Sequence, residues 1–327
     1  MKRTLEALVV ALAISAPGCA TSSNLSPSYP LNQQAADGKY DSVDDYVNDQ
    51  EIQGLKDASY MILNQSTYKT QEGKEIILQK FGTSIIYRDV DTSTYLVTAN
   101  HVMQNEEVLH DFFGREYKKI SEKCYILDDN QVAQFQKILR KSSEVKDAGK
   151  LYLKDSSGIK RKLQNTVQVS SGMDLVFEAI KAKEVRTAAY NQAKDLAIVS
   201  TARLNHKPLA YSMGNSDEVQ TQNIIYVIGW PLGLTKNVNQ GHISSVNDSV
   251  LARDDPETNF IFDASISPGN SGGPIFAVRD GKFELVGITS ADRGGNDIYV
   301  GIKVKPVTEV FKGNSIHCSE GWKCNPS

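Results

Sequence analysis

Short runs of apolar, β-prone residues recur along this chain and are separated by turn-forming residues. The clearest runs are Ile76–Leu78, Thr83–Tyr87, Tyr95–Thr98, Ile224–Ile228, Phe260–Phe262, Leu285–Thr289 and Tyr299–Val304. Short strands bounded by turn signals predict an all-β barrel architecture. At 327 residues, with 40% hydrophobic residues, the chain is long enough for one two-lobed β unit with a sizeable core.

The charge balance and the spacing of possible ligands exclude several classes of partner. The formal net charge is −3, so the chain lacks the basic footprint of a nucleic-acid-binding protein. No apolar run reaches the length of a membrane-spanning helix. His317 beside Cys318 is too little for a zinc site, and no other histidine and cysteine residues have ligand spacing. We therefore expect no nucleic acid, no metal and no cofactor.

One glycine-rich segment, Ser267–Pro274, has the composition of a turn that carries an activated serine. Its sequence is Ser-Pro-Gly-Asn-Ser-Gly-Gly-Pro. A serine hydroxyl is a poor nucleophile until a base accepts its proton and donors await the developing oxyanion. Flanking glycines let the backbone bend tightly and bring N–H groups close to a substrate carbonyl. A plain loop has a similar composition, so a catalytic interpretation requires a base and an acid elsewhere.

Both groups are present at the borders of predicted strands. His101 directly follows the run Tyr95–Asn100, and Asp195 precedes the run Leu196–Val199. A triad needs a histidine that accepts the serine proton and a carboxylate that fixes the histidine tautomer. The chain order histidine, aspartate, serine, with Ser271 last, is the chymotrypsin order among the three known for this geometry.

These motifs together resemble those of the trypsin-like serine endopeptidases. They are Thr-Ala-Asn-His ending at His101, Asp-Leu-Ala-Ile-Val beginning at Asp195, and Gly-Asn-Ser-Gly-Gly-Pro around Ser271. Further segments are similar to the bacterial HtrA-type branch, namely Asp263–Asn270, Met213–Asp217, Ile228–Leu234 and Gly241–Ser245. The resemblance covers roughly residues 78–103 and 173–312 and implies two six-stranded antiparallel β-barrels with the catalytic residues in the cleft between them.

The resemblance also implies a role for each residue of the catalytic machinery. Ser271 would be the nucleophile, His101 the general base and later the acid, and Asp195 the residue that orients His101. The backbone N–H groups of Gly269 and Ser271 would form the oxyanion hole. The reaction would be hydrolysis of peptide bonds in protein substrates through an acyl-enzyme intermediate.

Substrate-binding residues follow from the same resemblance. Ser290 and Ala291 would begin the edge strand along which an extended substrate adds a strand by main-chain hydrogen bonds. Ser265 would lie at the floor of the primary specificity pocket, so a basic side chain would meet no carboxylate there. Asp292 and Asp297 lie in segments that can line this pocket and could change that preference.

Activation by N-terminal clipping is not expected. Pancreatic-type relatives use a new N-terminal amine that pairs with an acidic residue just before the nucleophile. Asn270 occupies that position and carries no charge. No Ile-Val-Gly-Gly-like segment precedes the first barrel, so ordering of loops by substrate or a partner is the favoured control.

The domain boundaries are predicted from composition and spacing. A tether and helical segment would span residues 20–75, the first barrel 76–204, the second barrel 205–312 and a C-terminal tail 313–327. Between His101 and Asp195 lie 93 residues, so a partly helical insertion is predicted at about 104–170. Its amphipathic helix would contain Val132, Phe135, Ile138 and Leu139, with Asp128 or Asp129 as N-cap. Only fifteen residues follow residue 312, too few for the PDZ domain that most HtrA-type proteases carry.

Residues 1–19 have the pattern of an export signal, with a positive start and the apolar core Ala7–Ile14. Ala16–Cys19 resembles a bacterial lipobox, which would make Cys19 the lipidated first residue of the mature protein and give a lipid anchor. Ordinary cleavage after Ala20 is the alternative. Either ending places the protein outside the cytoplasm, in the bacterial periplasm or on the outer membrane as a lipoprotein, or secreted.

The remaining cysteines predict one small disulfide loop. Cys318 and Cys324 are close in sequence and would pair in an oxidising compartment. Cys124 would then be an unpaired buried thiol. Two alternatives to a protease stay open: a catalytically silent binding or chaperone module with the protease fold, and an anchored interaction protein that works through its tether and insertion.

Overall fold

The computed structural model describes residues 38–41, 49–111, 114–141, 146–147, 151–154, 160–162, 166–169, 173–246, 258–292 and 299–325. The predicted signal segment, Cys19 and most of the predicted tether lie outside these residues. Within the described part of the chain, no helix has both the length and the apolar character needed to cross a membrane.

Strands dominate the described chain. In order they are β1 (Ser59–Lys69), β2 (Glu75–Val90), β3 (Ser93–Ala99), β4 (Val108–Asp111), β5 (Glu116–Leu127), β6 (Lys146–Asp147), β7 (Leu151–Lys154), β8 (Lys160–Lys162), β9 (Thr166–Val169), β10 (Lys183–Asn191), β11 (Leu196–Ala202), β12 (Ser212–Met213), β13 (Ile224–Gly229), β14 (Asn237–Ser245), β15 (Asn259–Phe262), β16 (Pro274–Arg279), β17 (Lys282–Asp292), β18 (Tyr299–Lys303), β19 (Phe311–Lys312), β20 (Ser315–Ile316) and β21 (Lys323–Cys324). The helices are α1 (Asp49–Asp57), α2 (Asn100–Met103), α3 (Asp129–Lys141), α4 (Met173–Ala179) and α5 (Lys305–Val310), with a 3-10 turn at Pro231–Gly233.

Twelve of these strands close into two antiparallel barrels. The first barrel runs β1–β2–β3–β11–β10–β5 and closes where β5 pairs with β1. The second runs β13–β14–β15–β18–β17–β16 and closes where β16 pairs with β13. The predicted all-β fold with two six-stranded antiparallel barrels is confirmed.

Apolar side chains fill each barrel and also join the two. Ile62, Leu96 and Val199 lie in the core of the first barrel, and Val227 and Phe260 lie in that of the second. A further buried cluster contains residues of both barrels, among them Ile85, Val97, Leu196, Ile228, Phe276 and Ile288. Because this shared core fixes one barrel against the other, residues on loops at their junction hold defined positions.

The first barrel begins at Ser59, not at residue 76. Strand β1 pairs with both β2 and β5, so it is a central strand of that barrel. The predicted helical segment is limited to α1, which ends at Asp57. Three consecutive polar residues, Asn64–Ser66, interrupt the apolar pattern of β1 although all three are buried. Asn64, for example, donates to Glu122 Oε1 at 3.0 Å and accepts from Asn105 Nδ2 at 2.9 Å.

The segment 104–170 is not wholly an insertion, because it contains the barrel strand β5. The additional elements are α3 and the short strands β4 and β6–β9, which extend the first sheet beyond the barrel. Helix α3 forms where an amphipathic helix was predicted. Asp128 is its N-cap, since Asp128 Oδ1 accepts from the Gln131 N–H at 2.8 Å and Gln131 Oε1 accepts from the Asp128 N–H at 3.0 Å.

Segments at both ends of the described chain attach to the barrels. Residues 38–41, predicted as tether, contact the second barrel: Tyr40 is buried and its hydroxyl donates to Glu284 at 2.8 Å. In the C-terminal tail, Cys318 and Cys324 form the predicted disulfide. Strand β21 pairs with β10 of the first barrel. Cys124 is a free, buried thiol, as the cysteine count predicted.

Candidate active site

Strand register brings His101 and Asp195 together. Strands β3 and β11 are antiparallel, and Ala99 at the end of β3 faces Leu196 at the start of β11. The residues just beyond β3 and just before β11 are therefore neighbours. Asn100 N–H donates to the Asp195 carbonyl at 2.9 Å, which locks the two turns against each other.

The Asp195 carboxylate contacts His101 twice. Its Oδ2 atom lies 2.7 Å from His101 Nδ1, and its Oδ1 atom accepts from the His101 backbone N–H at 2.8 Å. Ser290 Oγ donates to the same Oδ2 atom at 2.6 Å. Because Nδ1 is engaged by the carboxylate, the other ring nitrogen, Nε2, is the one available to a reacting group.

Asp195 is held in its ionised form. Burial raises the pKa of this carboxyl, but hydrogen bonds and charge from His101, together with the Ser290 hydroxyl, outweigh burial, and the net pKa is below its ordinary value. An ionised carboxylate is only an acceptor, so His101 Nδ1 carries the proton at this contact. This is the tautomer that leaves Nε2 free to accept a proton.

Ser271 lies at the junction of the two barrels. Its carbonyl accepts from the Thr83 N–H of β2 at 2.8 Å, so the first barrel anchors the turn. Its hydroxyl donates to the Ser290 carbonyl at 2.8 Å. Ser290 therefore contacts Asp195 with its side chain and Ser271 with its backbone, and the three predicted triad residues belong to one hydrogen-bonded cluster.

The turn before Ser271 has the backbone form that its glycine permits. Asn270 N–H donates to the Ser267 carbonyl at 3.0 Å, and Gly269 has φ +105°. Proline at the second position and a positive φ at the third describe a type II turn. A Cβ at Gly269 would lie 2.3 Å from the Trp230 carbonyl oxygen, so a side chain is excluded by space as well as by conformation.

The two predicted oxyanion donors are unengaged within the described part of the chain. No acceptor there pairs with the N–H groups of Gly269 and Ser271. The Pro268 carbonyl accepts from Leu232 N–H at 2.7 Å. Because the carbonyl and N–H of one trans peptide point in opposite directions, this bond directs the Gly269 N–H away from Leu232.

Asn270 fills the position at which an activating salt bridge would need a carboxylate. Its side chain is 1% exposed, and its amide atoms pair with no group among the described residues. Gly229 packs so closely that a Cβ there would lie 2.5 Å from Asn270 Oδ1. A charged group in this space would be buried without a partner.

The structure describes the residues predicted to bind substrate in less detail than the predicted triad. Ser265 is exposed on the segment that leads into the turn. Ser290 lies on β17, while the side chain of Ala291 is outside the description. The ladder between β17 and β18 pairs Thr289 with Gly301 and Asp292 with Tyr299, so it skips Ser290 and Ala291.

Two residues of the first barrel contact this site, although nothing in the sequence marks them as site residues. Thr83 Oγ1 donates to the Gly269 carbonyl at 2.9 Å and accepts from the Trp230 N–H at 3.0 Å. Lys80 Nζ donates to the His101 carbonyl. Both residues lie within β2, where their types match an ordinary strand, and only the closure of the barrel brings them to the site. Strand register could not be deduced from their spacing.

A second histidine–carboxylate pair lies outside the cleft. His206 Nε2 is 3.0 Å from Asp89 Oδ2. The neighbouring hydroxyl, that of Thr94, donates to Asp89 Oδ1. No glycine-rich serine turn adjoins this pair in sequence, which agrees with a structural role for His206.

Comparison with known proteins gives the family. The trypsin-like peptidase domain model matches residues 82–288, which is more than half of the chain and includes His101, Asp195 and Ser271. A putative serine protease HhoA of Synechocystis is 23% identical over 207 residues, covering 62% of this chain and 47% of that protein. The serine protease Do-like HtrA of Bacillus subtilis is 35% identical over 127 residues, covering 35% of this chain and 27% of that protein.

A solved structure shows the same fold. The HtrA-type protease AlgW with a decapeptide has a TM-score of 0.50 and 17% sequence identity, covering 81% of this chain and 66% of that one. The chain spans less than half the length of the two curated relatives named above. The family match, the motifs and the two barrels agree, and the chain belongs to the trypsin-like peptidase family, with serine proteases of the HtrA type among its relatives.

Proposed function

We propose that this chain is a serine endopeptidase that hydrolyses protein substrates through His101, Asp195 and Ser271. The observation that carries the proposal is the hydrogen-bonded cluster in which Asp195 contacts His101 Nδ1 at 2.7 Å and Ser290 joins Asp195 to Ser271. Family membership supports the reaction class, and the geometry supports the roles of the individual residues.

The reaction begins with a rotation of the Ser271 side chain. Its hydroxyl leaves the Ser290 carbonyl and donates to His101 Nε2, which takes the proton as Ser271 Oγ attacks the substrate carbonyl carbon. The N–H groups of Gly269 and Ser271 stabilise the oxyanion. His101 then gives its proton to the leaving amine as the C–N bond breaks and an acyl-enzyme forms. Water, deprotonated by His101, hydrolyses this ester and restores the Ser271 hydroxyl.

We propose that substrate binds as an extended strand beside Ser290 and Ala291. Support comes from the β17–β18 ladder, which leaves these two residues without a paired neighbour among the described residues. AlgW, a structural neighbour, has been solved with a decapeptide. Ser265 would contribute a neutral side chain to the primary pocket, which favours small or medium apolar residues next to the cleaved bond.

We also propose that the protein works in the bacterial cell envelope. A relative from Chlamydia pneumoniae that is 37% identical over 109 residues is named a probable periplasmic serine endoprotease. The export pattern of residues 1–19 supports the same compartment, either with lipidation at Cys19 or with ordinary signal cleavage and secretion.

Covalent labelling tests the catalytic proposal. A fluorophosphonate probe should label the wild type at Ser271 and leave Ser271→Ala unlabelled, and peptide hydrolysis should fall about 10⁶-fold in that variant. A folded wild-type protein that is not labelled, with or without peptide, would instead support a catalytically silent binding or chaperone module.

A further inference from the structure

The loop between β13 and β14, residues 230–236, directly supports the oxyanion turn. Leu232 N–H donates to the Pro268 carbonyl at 2.7 Å. That carbonyl belongs to the same peptide unit as the Gly269 N–H, so the orientation of this oxyanion donor depends on the position of Leu232. The Trp230 carbonyl also packs against Gly269.

The 230–236 loop is weakly held by its own contacts. Its internal backbone bonds are Gly233 N–H to Trp230 O at 2.9 Å and Leu234 N–H to Pro231 O at 3.0 Å. Leu232 has φ +54°, a left-handed conformation that persists in a non-glycine residue only when the surroundings impose it. The side chains of Leu232 and Leu234 are 55% and 51% exposed, so they add little packing.

Support comes from neighbouring elements: Thr83 Oγ1 accepts from the Trp230 N–H at 3.0 Å and the Lys56 carbonyl accepts from Lys236 Nζ at 2.6 Å, while helix α3 contacts the middle and the end of the loop. Gln136 Nε2 donates to the Gly233 carbonyl at 2.8 Å and also to the Leu234 carbonyl. At the end of the loop, Lys236 Nζ lies 3.1 Å from Asp129 Oδ1, and the Lys236 side chain is only 5% exposed. The same helix is fixed to the first barrel, because Phe135 is buried among Phe81, Phe177 and Trp230.

We propose that α3 is a positioning element for the oxyanion hole and that Gln136 is its principal positioning residue. The connection runs from Gln136 to the carbonyls of Gly233 and Leu234, through Leu232 N–H to Pro268, and so to the Gly269 N–H. The inserted helix thereby sets whether the oxyanion donors are aligned. This inference rests on the proposed protease function and explains how its site is assembled.

The test compares three substitutions of Gln136 with a matched control on the same helix. Gln136→Glu is nearly isosteric but loses the donor and places a carboxylate beside two carbonyl oxygens. Gln136→Lys keeps an N–H donor. Gln136→Ala removes the side chain without adding charge and replaces the Glu variant in the comparison if that variant does not fold. Gln134→Glu is the control, because Gln134 is exposed on α3.

We expect Gln136→Glu to lower kcat about tenfold with KM within about twofold of the wild type, since misalignment affects the transition state more than ground-state binding. Gln136→Lys should recover most of kcat, and Gln134→Glu should match the wild type. A purely structural role for Gln136 would lower thermal stability without separating kcat from KM, and that result would overturn the proposal.

Hydrogen exchange gives a readout that does not depend on activity. In Gln136→Glu the Leu232 amide should exchange several-fold faster than in the wild type, while Gln134→Glu leaves it unchanged. Wild-type exchange at Leu232 together with wild-type kcat in Gln136→Glu would refute the positioning role. If the fluorophosphonate probe did not label the wild type, only the protease proposal would be refuted. The hydrogen-exchange comparison would still decide the role of Gln136.

Discussion

Ser290 Oγ and His101 Nδ1 contact the same oxygen of Asp195, at 2.6 and 2.7 Å. Ser290 therefore helps to hold the carboxylate that orients the histidine, while its backbone carbonyl holds the Ser271 hydroxyl. One residue of β17 thus joins Asp195 to Ser271, the proposed acid and nucleophile.

Ser290→Ala removes only the bond to Asp195, because the backbone carbonyl is unchanged. A hydrogen bond to a charged group contributes about 1.5–3 kcal/mol, and each 1.36 kcal/mol of lost transition-state stabilisation is about tenfold in rate. We expect kcat to fall roughly tenfold with little change in KM, measured with a chromogenic peptide. Ser244→Ala, at an exposed serine of the second barrel, is the control. An unchanged kcat would show that His101 alone orients Asp195.

Asp195→Asn should disable the base and change the acid stability of the fold. The amide can stabilise the wrong imidazole tautomer, so kcat is expected to fall about 10⁴-fold. The folded-state pKa of Asp195 lies below its ordinary value of 3.8. Its ionisation therefore stabilises the fold above that pH, and this stability is lost as pH falls through the lower, folded-state pKa.

Thermal unfolding from pH 7 to pH 2 measures the second effect. The wild type should be more stable than Asp195→Asn near neutral pH, and the difference should shrink as the pH falls below 3.8. A difference that stayed constant over this range would exclude Asp195 as a source of acid sensitivity.

The candidate site has clear local signals in the sequence and parts of the scaffold do not, for physical reasons. His101, Asp195 and Ser271 stand beside strongly apolar strands or within a glycine-rich turn, so local sequence marks them. Strand β1 escaped prediction because its buried Asn64–Ser66 are polar and are satisfied by partners distant in the chain. The hydrogen bond from Gln136 to the 230–236 loop could not be predicted either, since a contact between residues 136 and 233 depends on tertiary packing.

Asn270→Asp tests whether this position tolerates the charge that a clipping-activated protease would need. The side chain is 1% exposed and has no hydrogen-bonding partner among the described residues. Burial would raise the pKa of the new carboxyl, so the folded state would bind its proton more tightly than the unfolded state. The stability of the variant should therefore fall as pH rises above about 4. If the difference in stability between the variant and the wild type did not change between pH 4 and pH 7, the carboxyl at position 270 would have a partner, contrary to this prediction.

The Cys318–Cys324 disulfide should stabilise the attachment of the tail to the first barrel. The bond closes a loop with a sequence separation of 6, and the chain-entropy relation gives about 2 kcal/mol for a loop of this size. The double variant Cys318→Ser with Cys324→Ser should unfold at lower denaturant concentration than the wild type. Dithiothreitol should lower the wild-type midpoint to that of the variant and leave the variant unchanged. Equal midpoints without reductant would mean that β21 holds the tail without the disulfide.

Lys80→Met tests whether the buried Lys80 ammonium contributes to catalysis independently of its effect on stability. Burial lowers the pKa of the Lys80 ammonium, although neighbouring carboxylates, Asp195 first among them, raise it. Between that lower pKa and the ordinary value of 10.5, the unfolded state binds more protons, so wild-type stability should rise with pH across this range. Methionine removes this dependence and fills a similar volume, so the variant should be about as stable as the wild type at pH 7.

Because the His101 carbonyl loses its donor in Lys80→Met, kcat should still fall severalfold. Lys74→Met, at an exposed lysine, should change neither quantity. A wild-type kcat in Lys80→Met would assign Lys80 a purely structural role.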